Sequence, residues 1–400
     1  MGLNEGKAID AAALKKSADA LLGSAIAAGD VPGVVAAVTT RDATVYEGAF
    51  GERVLGEGPA MTQDTVMWIA SMTKPVTGVA AMQLVEQGRL SLDEPAAKVL
   101  PELGRVQVLE GWSAQGKPLL RPARGTITLR NLLTHTSGFA YDIWNADMDR
   151  YLNVMGLPRA GSGRNIALTT PLAFDPGARW EYGIGIDWAG KMVEAVSGQR
   201  LGAYMRQNIF EPLGMQSTAY RITPAMRARL AKVHQRGEDG GLTVTPFEVN
   251  QEPEFEPGGG GLYSTATDYV QFMRMVLNRG TGNGHRLLRP ETVDLMSRNA
   301  MADLRVTQLP ATRRALSCDA EFFEGTPKTW GLTFMINEAL APTGRPAGSL
   351  AWAGLGNTYF WIDPVNGLAG VHMAQVLPFV DPKALALFYA FEKGVYDALG

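Results

Sequence analysis

The sequence predicts an α/β protein in which residues 1–90 and 255–400 build one discontinuous lobe and residues 91–254 form a mostly helical lobe inserted between them. Three observations carry that prediction. Two strand-like runs precede a long apolar helix between residues 34 and 87; proline and glycine punctuation replaces strand runs from Leu90 onward; and strand runs return only after Gly258-Gly259-Gly260-Gly261. A cleft between such lobes gathers residues from distant stretches, which is where a small-molecule site is expected.

The elements follow in order. From Asp10 to Ala28 a helical stripe of Leu14, Ala18, Leu21, Leu22 and Ile26 ends at Gly29. Two strand-like runs over 34–40 and 43–51, separated by Arg41-Asp42, read as a hairpin. A buried helix is predicted from Ser71 to Gln87: Val76, Val79, Ala80, Met82 and Val85 fall mostly on one face, Pro75 suits a first turn, and Gly88 suits the stop. In the inserted segment, 127–139 reads as a short helix ending in a polar turn, and 187–196, 201–210 and 224–232 continue as helices. After the glycines come amphipathic helices over 266–278 and 290–298. Strands are predicted over 330–337, 349–353, 357–363 and 368–376, the last two joined by Pro364-Val365-Asn366-Gly367, and a closing helix spans 382–399. There is no internal repeat.

Composition excludes several partner classes. With 46% hydrophobic and 19% charged residues and a formal net charge of −3, the chain presents no basic surface for nucleic acid and no Lys/Arg run for an anionic membrane. No stretch approaches the roughly 18 uninterrupted apolar residues of a spanning helix. The start, Met1-Gly2-Leu3-Asn4-Glu5-Gly6-Lys7, lacks a basic region leading into an apolar one, so no secretory signal is expected. The single cysteine, Cys318, rules out an intramolecular disulfide, and a cytoplasmic location is the expectation. Without a neighbouring histidine, Cys318 reads as structural.

The chemistry concentrates at Ser71-Met72-Thr73-Lys74. Three residues of separation set a hydroxyl and an amine about one helical turn apart, a nucleophile beside a base once burial lowers the lysine pKa. The positive end of the helix favours an oxyanion there. Tyr182, in Trp180-Glu181-Tyr182-Gly183, is a second candidate: near a lysine ammonium its phenol is expected to have a lowered pKa and to shuttle a proton. The run Trp352-Ala353-Gly354-Leu355-Gly356 is the third, because small residues let backbone N–H groups approach a ligand. No Gly-x-Ser-x-Gly elbow occurs. His135, His234 and His285 are read in turns or polar loops and His372 in a strand, none of them as a triad base. No His/Cys cluster suggests a metal, and no cofactor is expected.

Taken together, Ser71-Met72-Thr73-Lys74, Leu132-Leu133-Thr134-His135-Thr136-Ser137-Gly138, Pro176-Gly177 through Tyr182, Pro212-Leu213-Gly214-Met215 with Thr218, Gly259-Gly260-Gly261-Leu262-Tyr263-Ser264-Thr265, and Trp352-Ala353-Gly354 resemble the serine β-lactamase-like superfamily in order and spacing. The nearest likeness is to the family VIII carboxylesterases, built on a class C β-lactamase type of fold. That resemblance implies an antiparallel sheet flanked by helices plus the helical insertion. It also implies that Ser71 is acylated, that Lys74 is its base, and that Tyr182 relays the proton. The backbone N–H groups of Ser71 and Leu355 would form the oxyanion hole, and Trp352, Ala353 and Gly354 would replace the lactamase Lys-Thr-Gly in binding substrate. Two departures matter: Ile184 stands where class C lactamases have the asparagine of Tyr-x-Asn, and Trp352-Ala353 where they have Lys-Thr. Both remove polar groups that orient a β-lactam, so lactam turnover should be poor. The expected activity is hydrolysis of short acyl esters of small molecules through an acyl-enzyme. The alternatives are a β-lactam or peptide amide hydrolase or an acyltransferase of the same superfamily, and a non-catalytic penicillin-recognition type of binding module.

Overall fold

The computed structural model describes residues 8–400; the reading of Met1–Lys7 lies outside them. Seven strands form one antiparallel sheet in the order 328–330, 335–337, 350–354, 358–363, 368–373, 33–40 and 44–51, so the two ends of the chain meet in its middle, where Val35 pairs with Met373. Strands buried on both faces read as near-continuous apolar runs, and Thr358–Asp363, buried throughout, holds Tyr359-Phe360-Trp361-Ile362 between its two polar ends. Alternation sorts its side chains. Tyr359 and Trp361 meet Phe388 and Phe391 of the closing helix Pro382–Asp397, whereas Phe360 meets Tyr269 of the helix Ala266–Leu277 on the other face. The helix Ala11–Ala27, capped by Asp10, packs beside the closing helix.

Segment 91–254 contributes no strand to this sheet. Its helices include Leu129–Thr134, which ends with His135 in the left-handed conformation, and Gly185–Ser197, which packs on the helix that follows Ser71. The sequence reading assigned neither the hairpin of Gln107–Trp112 with Pro118–Pro122 nor the helix Ala146–Met155, although Asn145 caps that helix and Gly156 ends it. The helix expected over 224–232 closes after one turn, Pro224–Arg227. His234 and His285, read as loop residues, lie in the short strands His234–Arg236 and His285–Arg286. In the sheet, the single strand expected over 330–337 is two, Lys328–Trp330 and Met335–Asn337. The chain reverses between them with Thr333 at φ 84°.

The helix predicted from Ser71 begins later. A 3₁₀ turn covers Ala70–Met72 and the α-helix runs Thr73–Glu86, with Gly88 left-handed after it. Residues 73–84 are all buried, so its polar members need partners. Thr77 donates to the carbonyl of Gly258, and Gln83 to those of Asn208 and Leu287. Gly78 is required by close approach, since a Cβ there would stand 2.3 Å from the Thr333 hydroxyl oxygen. No helix among the described residues is long and apolar enough to cross a membrane.

Candidate active site

Ser71 sits where three segments close on one backbone turn. The two-residue strand Met67–Trp68 pairs with Tyr263–Ser264, and the N–H of Ile69 donates to the carbonyl of Leu262. The hydroxyl of Tyr269 donates to the carbonyl of Met72, and the Leu262 N–H to the Thr73 hydroxyl. Ala70 takes φ 44°, a conformation that an alanine adopts only when its surroundings enforce it. Against this turn lies the strand Leu350–Gly354, so close that a Cβ on Gly354 would stand 2.3 Å from the Ile69 carbonyl oxygen.

Lys74 is fully buried, and its amine donates at 3.0 Å to the Ser71 Oγ, 3.2 Å to the Tyr141 Oη and 2.6 Å to the Gly259 carbonyl. Desolvation pulls its pKa down to about 7, opposed by the carboxylate of Asp187. Asp187, also buried, is pushed above the ordinary carboxyl range by its own desolvation, and it accepts the Gly259 N–H at 2.8 Å. A neutral amine has two N–H donors and one lone pair. The three contacts use the three N–H groups of the ammonium; once the proton facing Ser71 is lost, the remaining two donors stay on the Gly259 carbonyl and Tyr141 and the lone pair faces the Ser71 hydroxyl.

The four-glycine run supplies much of this cradle. Its carbonyls take bonds from Thr77, Lys74 and the Trp68 indole, and side chains would not fit: a Cβ on Gly259 would lie 2.8 Å from the Tyr141 Oη, and one on Gly258 2.8 Å from the Ile186 carbonyl oxygen.

Tyr182 lies behind the serine in an aromatic wall. Its ring centroid is 4.6 Å from the Lys74 amine, 4.6 Å from the His135 ring and 4.9 Å from that of Trp352. Its hydroxyl accepts the Trp352 indole N–H at 2.9 Å. The expected lowering of its pKa is not what this setting produces. Burial, the largest influence, raises it, and the hydrogen bonds with Ser71 and Trp352 offset only part of that. At neutral pH the group is a phenol that carries its proton.

A cavity of about 210 Å³ opens over Ser71, walled by Trp68, Trp144, Phe247, Leu316 and Leu355 among others. Ser71 and Leu355, the two expected oxyanion donors, therefore face the same space. Trp352, Ala353 and Gly354, expected to bind substrate, do not line it. Trp352 instead touches Tyr182, and Gly354 admits the Ile69 carbonyl. Lys74 and Tyr182 also stand back from the cavity wall. The sequence reading missed Tyr141 and Asp187. Asp187 left a trace, one acidic residue within Gly185-Ile186-Asp187-Trp188-Ala189, while Tyr141 in its loop left none.

His135, left-handed at its helix end, accepts the Gly183 N–H at Nδ1, and burial holds its pKa well below normal, so it braces the Tyr182 segment as a neutral ring. Cys318 is partly buried with a raised pKa, and His372 is buried in its strand.

Residues 18–392 match the Beta-lactamase family. A monacolin J acid methylbutanoyltransferase of Aspergillus terreus is 33% identical over 395 residues, covering 93% of each chain. A lovastatin esterase of Penicillium rubens is 34% identical, covering 94% of this chain and 97% of its own. Among solved structures, a variant of the simvastatin synthase LovD from Aspergillus terreus superposes with TM-score 0.84 at 31% identity, over 97% of this chain and 95% of that one.

Proposed function

The chain belongs to the Beta-lactamase family, and its relatives make it an acyl-transferring serine hydrolase; we propose that it is a carboxylesterase of the family VIII kind acting on short acyl esters. The observation that carries this reading is the 3.0 Å contact between the Ser71 hydroxyl and a buried Lys74 whose pKa is drawn to about 7. The Ser71 oxygen attacks the ester carbonyl as its proton passes to the Lys74 lone pair, and the negative charge gathers on the carbonyl oxygen before the N–H groups of Ser71 and Leu355. The protonated Lys74 returns the proton, through the neutral Tyr182 phenol, to the departing alkoxide. Water then enters by the same route in reverse, and the acid leaves. The modest cavity favours short acyl groups.

The relative named for acyl transfer, the methylbutanoyltransferase, favours a second reading, in which an alcohol replaces water in the last step. One assay separates the two. A 4-nitrophenyl ester series from acetate to decanoate, with and without an alcohol acceptor, is followed for released phenol and for the fate of the acyl group by mass spectrometry. Short chains should be turned over fastest, with the acyl group recovered mainly as free acid. Recovery mainly as the new ester would replace the first reading by the second, and undiminished turnover by Ser71→Ala would end both.

A further inference from the structure

The cavity over Ser71 is not wholly apolar: Arg159 and Arg313 both line it, with Asp142 between them. One oxygen of Asp142 takes both guanidinium groups, from the Arg159 Nε at 2.7 Å and the Arg313 Nη1 at 3.1 Å. Arg159 is further held by Asp149 and Asn153. Among the described residues Arg313 has no second carboxylate partner. Its Nε and Nη2, the edge that takes a carboxylate side-on, bond to no protein acceptor, although about a third of the side chain, 34%, stays exposed. The position is fixed by the backbone, because Thr312 and Arg313 donate N–H groups to the Ile143 carbonyl, and the Trp144 indole bonds the Ser317 hydroxyl. Arg313 lines the same cavity as Ser71 and Tyr141, and Tyr141 accepts from Lys74.

Resting on the proposed ester chemistry at Ser71, we infer that the free edge of Arg313 is a carboxylate subsite, and that the enzyme selects esters bearing an anionic carboxylate beyond the reacting carbonyl. A planar guanidinium with two donors on one edge recognises a carboxylate bidentately, in a pocket where Trp68, Trp144, Phe247 and Leu316 limit screening and the carboxyl groups of Asp142, already paired with both arginines, and Asp187 complete the wall. Asp142 keeps the two arginines together and aims them. Half of its work is to leave Arg313 only partly neutralised.

The test compares 4-nitrophenyl butyrate with 4-nitrophenyl hemiglutarate, which carries the carboxylate on the acyl side, and with 4-carboxyphenyl butyrate, which carries it on the alcohol side. The wild type should favour one anionic ester over its neutral counterpart by roughly tenfold in kcat/KM, the scale of one charge-assisted bidentate contact. Which of the two is favoured assigns the side. Arg313→Gln should abolish that ratio and Arg313→Lys should restore only part of it, since the charge returns without the fork. Binding is read independently of turnover by titrating Ser71→Ala with the same esters in a calorimeter. There the anionic preference should persist, and it should vanish in the Ser71→Ala, Arg313→Gln double variant. An unchanged ratio in Arg313→Gln, or equal binding of neutral and anionic esters, overturns the subsite. Failure of every ester to turn over, with the binding preference intact, overturns the ester reading and leaves the subsite standing.

Discussion

Lys74 stands between two walls of opposite character. On one side are rings, those of Tyr182, His135 and Trp352, with a single hydrogen bond joining the Trp352 indole to the phenol. On the other are polar groups, the Tyr141 hydroxyl, the Gly259 carbonyl and the Asp187 carboxyl. The aromatic wall excludes water and so makes charge expensive, which holds Lys74 toward the free amine and Tyr182 toward the neutral phenol. The polar wall occupies the amine's hydrogens and points its lone pair. Catalytic power in this arrangement comes from setting proton affinities on one side and direction on the other.

The largest expected effect removes the group both walls serve. Lys74→Met, close in volume, should lower kcat for a short ester by about 10³-fold or more while leaving the fold intact by circular dichroism. If the loss is less than tenfold, neither wall matters to the chemistry. Next comes a contrast between the walls. Tyr182→Phe should cost about 10²-fold or more in kcat, because it deletes the proposed proton relay, whereas Tyr141→Phe should cost about tenfold, since the Gly259 carbonyl still orients the amine. Kinetics showing the reverse order would exchange the roles of the two tyrosines.

The smallest effect is a displacement along the pH axis. Lys74 must shed its proton to act, so kcat/KM should rise as pH climbs through about 7 and then level off. Asp187 is the influence that raises the Lys74 pKa, so Asp187→Asn should move that midpoint to lower pH. The sign is the same for folding. A lysine whose pKa is lowered in the folded state binds fewer protons there than in the unfolded chain, so stability should increase between about pH 7 and about pH 10. Urea midpoints of wild type should show that rise, and Lys74→Met should lack it.

Legibility followed the same division. The sheet was readable because its strands are apolar runs bounded by turn residues, as at Pro364–Gly367, and the hairpin of 33–40 with 44–51 is where two strand-like runs split by Arg41-Asp42 placed it. The split at 331–334 was hidden by apolar continuity, although Gly331 marked it. Motif spacing that spans the chain singled out Ser71, Lys74 and Tyr182, and the structure brings the three together. Asp187 and Tyr141 were not, because burial and distance in space decide their importance, and no local pattern records either. Trp352 was picked out for the right strand and the wrong contact: strand alternation directs its indole to Tyr182 and away from the cavity.

One consequence follows from the placement of Lys74 behind Ser71. An amine uncharged near pH 7 is inherently more reactive toward an ester than any serine hydroxyl, and acylating it would yield a stable amide and a dead protein. Lys74 is fully buried and absent from the cavity wall, with the Ser71 hydroxyl against its nitrogen, so an incoming carbonyl meets the serine before the amine. On the proposed chemistry, the fold protects its own base from the reagent it consumes.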